Sequence, residues 1–276
     1  MNEFVEVKGV RVPRLMYGTA WKEERTEELV SLALAAGFRA IDTANQRKHY
    51  FEAGVGAAVA ASKIPRSELF LQTKFTYQRG QDSRLPYDPK ADVATQVRQS
   101  FASSLTHLGV DDIDSYVLHG PSSGGGWSED DRKVWRAMES LHAEKKVRLL
   151  GVSNVTLEQL RTLCDEAKIL PSFVQNRCYA SVGWDREVRA LCREGEIVYQ
   201  GFSLLTANAG ELSSPKVRAI AARLEATVPQ VVFRFAIAIG MLPLTGTTDR
   251  THMEQDLASV ALELTDADIA TIERLG

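Results

Sequence analysis

Apolar residues recur along the chain in two alternating rhythms, short continuous runs and longer stretches in which they return every third or fourth position. Arg14 to Thr19 reads as a short buried strand running into a Gly turn, and Arg25 to Ala36 carries Leu29, Leu32, Ala33 and Ala36 at helical spacing. The same pairing of strand and helix returns at Phe38 to Ile41 with Glu52 to Ala61, and at Glu68 to Lys74 with Lys90 to Leu108. It returns again at Ile113 to Leu118 with about Asp130 to Lys146. In the second half, Val147 to Asn154 precedes Thr156 to Ala167, with Thr156 a suitable N-cap. Phe173 to Asn176 precedes Asp185 to Cys192, and Glu196 to Phe202 precedes Pro215 to Leu224. A proline starts an extra amphipathic helix, Pro229 to Ala238. Leu242 to Thr245 is the last strand, followed by helices at Asp249 to Leu257 and Thr265 to Leu275. Strands that alternate with helices in this way predict an α/β fold, a parallel (β/α)8 TIM barrel.

Composition narrows the class. With 276 residues and 44% hydrophobic content the chain can bury one large core, so a single domain over 1–276 is expected. A net charge of −3 argues against nucleic acid or an anionic membrane surface, since either calls for a basic excess, and leaves a small molecule as the expected partner. Cys164, Cys178 and Cys192 are odd in number and lack CxxC spacing, which suggests neither a disulfide framework nor a zinc knuckle and fits a reducing cytoplasm. No apolar run approaches a membrane span, and the first residues lack a basic region followed by an apolar one, so a soluble, untargeted protein is expected. His107, His142 and His252 fall on helices without partners at ligand spacing, so no metal site is expected.

Chemistry gathers at the strand ends. Asp42, Lys74 and His119 each close a separate strand, with Tyr50 in the loop after the first, and a parallel barrel brings all four to the rim where such folds keep their active sites. Taken singly each has an ordinary reading: a strand-end lysine on the surface, a histidine capping a Gly-Pro turn, an Asp-Thr helix cap. The loops Thr76 to Pro89 and Ser122 to Asp130 would border the same rim, the second as a glycine-rich lid. The run Arg47-Lys48-His49 beside Tyr50 either favours an anionic or polar substrate or is a solvated face. Gly54-Val-Gly56 begins a helix without a preceding strand, which points to helix packing rather than a dinucleotide fingerprint.

Four segments together resemble the aldo-keto reductase family: Gly37-Phe-Arg-Ala-Ile-Asp42-Thr-Ala, the strand-end Lys74, Ser104 to Asp114 with Tyr116-Val-Leu-His119-Gly-Pro, and Lys146-Val-Arg-Leu-Leu-Gly-Val-Ser153-Asn154. The resemblance covers essentially the whole chain. It implies reduction of an aldehyde or ketone by NADPH, with NADH as the alternative, and assigns catalysis to Asp42, a tyrosine, Lys74 and His119. Hydride delivery builds negative charge on the carbonyl oxygen, so the site must supply a proton there. An ammonium at Lys74 would lower the tyrosine's pKa, Asp42 would hold that lysine, and His119 would donate to the same oxygen.

Family contacts to the cofactor fall on Gly18, Thr19, Ala20 and Asp42, on Ser153, Asn154 and Gln175 for the carboxamide, and on Phe202 for stacking. They continue through Ser203, Leu205, Thr245, Gly246, Thr247, Thr248, Arg250, Gln255 and Asp256. The substrate would meet Trp21, Tyr50 and His119. The chain departs from the family in three places. The tyrosine slot counted from Asp42 holds Arg47, and counted back from Glu52 and Val55-Gly56 it holds His49. Tyr50 is the nearest tyrosine, with Tyr17 and His49 as alternatives. Phe202-Ser-Leu-Leu205 stands for the usual Tyr-Ser-Pro-Leu. Gly246 and His252 stand for the usual Lys and Arg that meet the 2′-phosphate, leaving Arg250 as the nearby cation. Two other function classes remain open from the residues: a lyase forming a Schiff base on Lys74, and a non-catalytic nucleotide-binding subunit.

Overall fold

The computed structural model describes residues 3–275. Ahead of the first expected strand the chain forms an antiparallel hairpin, β1 (Phe4–Val7) and β2 (Val10–Pro13). Its turn is Lys8-Gly9, both at positive φ, the backbone that a two-residue hairpin turn requires. The sequence reading assigned no element here, although Val5, Val7, Val10 and Val12 flank that turn at strand spacing.

The remaining strands are β3 (Met16–Gly18), β4 (Ala40–Asp42), β5 (Phe70–Phe75), β6 (Ile113–Leu118), β7 (Val147–Ser153), β8 (Phe173–Arg177), β9 (Val198–Phe202) and β10 (Met241–Thr245). They run parallel and close a barrel in chain order, with β10 pairing both β9 and β3. Around them lie α1 (Thr26–Ala36), α2 (Glu52–Ser62), α3 (Val93–Leu108), α4 (Glu129–Ala143), α5 (Leu157–Glu166) and α6 (Arg186–Glu194). Then come α7 (Ala209–Leu212), α8 (Pro215–Arg223), α9 (Val228–Ala238), α10 (Arg250–Ala258) and α11 (Asp266–Glu273). The expected (β/α)8 fold is observed, with boundaries within a few residues.

Two apolar clusters follow from the barrel geometry. One lies between strands and helices; the other fills the barrel interior with Met16, Ala40, Phe70, Leu149, Phe173 and Leu242, and is sealed by Val7, Val10 and Val12 of the hairpin. The hairpin thus plugs one end, and burial of its valines contributes about 1.5–3 kcal/mol each. Gly56 on α2 shows why that helix is rich in small residues: a Cβ there would lie 2.1 Å from the His107 carbonyl oxygen on α3, so only glycine permits the approach. That is helix packing, as expected. Above the apolar interior sits a polar layer, in which Gln72 on β5 and Gln200 on β9 exchange amide hydrogen bonds of 2.8 and 3.0 Å across the barrel. This layer is the floor of the functional site.

Candidate active site

Asp42 ends β4, and the parallel register sets its carboxylate beside β5. Lys74 Nζ lies 2.7 Å from both Asp42 oxygens and 2.8 Å from the Thr43 carbonyl, with the lysine side chain wholly buried. Asp42 Oδ1 also accepts from Gln72 Nε2 at 2.8 Å and from Gln175 Nε2 at 3.1 Å. A buried ion pair survives only when its remaining lone pairs are satisfied in this way. Gln175 gives its other amide hydrogen to Gln200 Oε1 at 2.9 Å, so its own carbonyl oxygen is the atom left to accept from a ligand.

Tyr50 comes from the loop before α2. The Lys74 ammonium lies 5.2 Å from its ring centroid, and the His119 ring meets it edge-on with centroids 5.7 Å apart. Burial, and then the Asp42 carboxylate, push the Tyr50 hydroxyl well above the usual phenol range. This reverses the sequence expectation of a lowered value: the loss of water around a buried phenolate outweighs the attraction of the nearby ammonium. Burial, with Lys74 adding to it, lowers His119 to about 3, so the imidazole is neutral. Its Nδ1 lies 2.7 Å from Thr76 Oγ1, and Asn154 Nδ2 donates to the His119 carbonyl at 2.8 Å. Asn154 takes a left-handed φ of 54° to turn there directly after β7.

Tyr50, His119 and Asp42 look into a cavity of about 600 Å³ at the carboxyl ends of the strands. Of the other expected cofactor residues, Gly18, Ala20, Ser153, Asn154, Gln175 and Phe202 line it near the centre. Ser203, Leu205, Thr245, Gly246, Thr247, Gln255 and Asp256 line it toward α9 and α10. The Arg177 guanidinium lies 5.7 Å from the Phe202 ring centroid and supports that ring. Asp256 accepts from Thr245 Oγ1 at 2.7 Å, and burial raises its carboxyl to about 6.

Several expected residues are not brought to the cavity wall. Thr19 is buried beneath it, donating to the Asp42 carbonyl. Lys74 stands behind Asp42. Thr248 and Arg250 are exposed, and Arg250 Nε pairs with Glu254 at 2.9 Å. Trp21 is 69% exposed and stacks on His49 with ring centroids 3.9 Å apart. Tyr17 is fully buried and donates to the Thr247 carbonyl at 2.9 Å. Arg47 pairs with Glu24 and covers the Phe51 ring, so the charge run before Tyr50 is largely a surface feature.

Other residues were missed. Lys22 is buried with its ammonium on the Gly246 carbonyl, and burial lowers it to about 8. Its place in a strand-end loop next to Trp21 was the available signal. Gln72 precedes Lys74 by two residues and so shares its inward parity; Gln200 on β9 pairs in register with Gln175. Thr227, Pro229 and Phe233 also line the cavity, and positions in and just before α9 without a motif gave no sign of it; His252, at the position of the family's 2′-phosphate arginine, lines it too. Among the described residues no group of His, Cys, Asp or Glu is arranged to hold a metal ion, and no helix is long and apolar enough to cross a membrane.

Residues 14–276 match the aldo/keto reductase family. The chain belongs to that family. It is an NAD(P)H-dependent oxidoreductase. An aldo-keto reductase of Mycobacterium marinum is 31% identical over 96% of this chain and 88% of its own. The solved aldo/keto reductase of Brucella melitensis superposes with a TM-score of 0.84 at 28% identity, covering 99% of both chains. An aldo-keto reductase of Bombyx mori, solved in complex with NADP, shares the fold with a TM-score of 0.83 at 22% identity, over 99% of this chain and 92% of that one. In this chain Asp42, Tyr50, Lys74 and His119 meet at the carboxyl ends of the barrel strands.

Proposed function

We propose that the reductase converts an aldehyde or ketone to an alcohol, with Tyr50 as proton donor and NADPH preferred over NADH. The observation that carries this reading is the meeting of Tyr50 and His119 on one cavity wall, backed by the Lys74–Asp42 pair. The bound cofactor would supply hydride to the carbonyl carbon. Ser153, Asn154 and the free carbonyl oxygen of Gln175 suit a carboxamide, and the Phe202 face suits its ring. Gly18 and Ala20 line the cavity, with Thr19 beneath them holding the Asp42 carbonyl, and Ser203 and Leu205 line it as well. Lys22, on the Gly246 carbonyl, with Gly246, Thr247 and Thr248 in the loop that leads into α10, suits the phosphates, helped by the helix N-terminus and by Arg250. Thr245, Gln255 and Asp256 bound the far end.

The chain's own residues then divide the remaining work. His119, neutral and fixed by Thr76, donates a hydrogen bond that orients the carbonyl oxygen. Tyr50, whose environment keeps it protonated, is a loaded donor. As hydride arrives the oxygen becomes an alkoxide, a stronger base than phenolate, and takes the Tyr50 proton. The nearby Lys74 charge stabilises the phenolate left behind. A Schiff base on Lys74 fits less well, because that nitrogen is wholly buried and bonded to Asp42 and the Thr43 carbonyl.

Tyr50→Phe tests the reading. Turnover should fall by at least about 10²-fold, the contribution of a positioned general acid, while NADPH still binds. Unchanged turnover would overturn Tyr50 as the donor.

A further inference from the structure

A second cavity, about 480 Å³, opens on the other side of His119 and shares His119 and Asn154 with the first. Its walls come from the loop after β5, the glycine run after β6 and the start of α5. The wall is polar: Gln46, Thr76, Ser123, Thr156 and Gln159 contribute amides and hydroxyls. It is also built rather than loose. Gln159 Nε2 donates to Ser123 and Gly126 carbonyls at 3.1 and 2.8 Å, which ties down the glycine run expected to move freely.

The charges in this cavity are one-sided. Among the described residues that line it, Arg79 alone carries a full charge, and no carboxylate joins it. Arg79 is exposed, and one Nη2 hydrogen is given to the Pro121 carbonyl, also of the lining, which leaves most of its five donors free. Asp131, which holds the Tyr77 and Ser122 side of this wall, is spent elsewhere: it accepts from Tyr77 Oη at 2.8 Å, Ser122 N at 2.7 Å and Ser128 N at 2.9 Å. An unopposed guanidinium beside a polar wall matches an anionic oxygen group, which it can hold in bidentate fashion.

We infer that the second cavity receives the tail of the substrate and that Arg79 selects small carbonyl compounds bearing a carboxylate or phosphate. This rests on the reductase reading above and names the substrate class for the same site. With the carbonyl between Tyr50 and His119, the shared His119 wall leads the rest of the molecule toward Arg79. Arg79 is a specificity residue here; it touches no reacting atom.

The test is a pair of matched substrates followed by NADPH consumption: 4-oxobutanoate against butanal for the carboxylate, and glyceraldehyde 3-phosphate against glyceraldehyde for the phosphate. Wild type should favour at least one anionic partner in kcat/KM. In Arg79→Ala that ratio should fall by at least about 10-fold, through KM rather than kcat, and Arg79→Lys should recover part of it. The pair that responds identifies the anionic group. A ratio near one in wild type, or one unchanged in Arg79→Ala, overturns the inference and leaves the reductase reading standing. Failure of wild type to consume NADPH with any of the four overturns both.

Discussion

Lys74 and Asp42 form an ion pair closed to water, with Nζ at 2.7 Å from each carboxylate oxygen and side chains 0% and 4% exposed. Lys74→Met would leave the carboxylate with glutamine amides alone. Removing one partner of a buried pair costs about 3–5 kcal/mol, which thermal unfolding should register as a large loss of stability. The same variant removes the cation nearest Tyr50, so the pKa governing alcohol oxidation, which needs the phenolate, should move upward. A variant with wild-type melting and an unmoved pH profile would separate the lysine from both roles.

His119 has its folded value depressed to about 3, below the unfolded value of about 6.5. The unfolded chain therefore takes up a proton that the folded one refuses, and stability should drain away as pH falls below about 6.5. Activity behaves differently. Between about pH 5 and 8 the imidazole stays neutral, so His119→Asn should lower the rate without altering the acid side of the profile. An inflection near pH 6.5 that vanishes in the variant would show that His119 titrates during turnover.

His107 on α3 takes the opposite sign. Its Nδ1 lies 3.1 Å from the buried Glu52, whose oxygens also accept from Ser104 and Thr73, and the carboxylate raises the imidazole above its usual value. The stabilisation is full below the unfolded pKa and is lost as pH rises through the folded one. His107→Ala should lower the melting temperature more at pH 5.5 than at pH 8.5, roughly either side of that range. Equal losses at both would mean that the histidine is only packing.

For the cofactor, Lys22 and Arg250 should separate. Lys22 is buried at the cavity edge and held to about 8, so Lys22→Met should weaken NADPH and NADH alike, and wild-type affinity for both should drop as pH rises past that value. Arg250 is exposed at the first turn of α10 and must leave Glu254 to reach a 2′-phosphate. Arg250→Ala should weaken NADPH by about 10-fold and NADH little. Equal effects on both, or tighter NADH binding in wild type, would remove Arg250 from that role.

The barrel was legible because its strands are short apolar runs closed by polar residues and its helices keep apolar spacing; Ile113 to Leu118 matched residue for residue. Lys74 and Asp42 were legible because each ends a strand. The hairpin was missed although Lys8-Gly9 marks its turn, since its role is to plug a barrel not yet built. Gln72 and Gln200 were missed because glutamine has no motif of its own, and their value lies in meeting across the barrel. The direction of the Tyr50 shift was misread for a related reason: the depth of its burial and the Asp42 carboxylate near it are matters of three-dimensional packing. The exposed position of Arg250 follows from its pairing with Glu254, one helical turn on.

The most direct measurement follows the hydride itself. Wild type is incubated with 4-oxobutanoate or butanal and NADPH carrying deuterium at both C4 positions of the nicotinamide, and the products are analysed by mass spectrometry. Carbonyl reduction predicts an alcohol with one deuterium on the carbinol carbon for each cofactor oxidised. An aldehyde returned unchanged and cofactor left reduced, or a borohydride-trapped adduct on Lys74, would contradict the account.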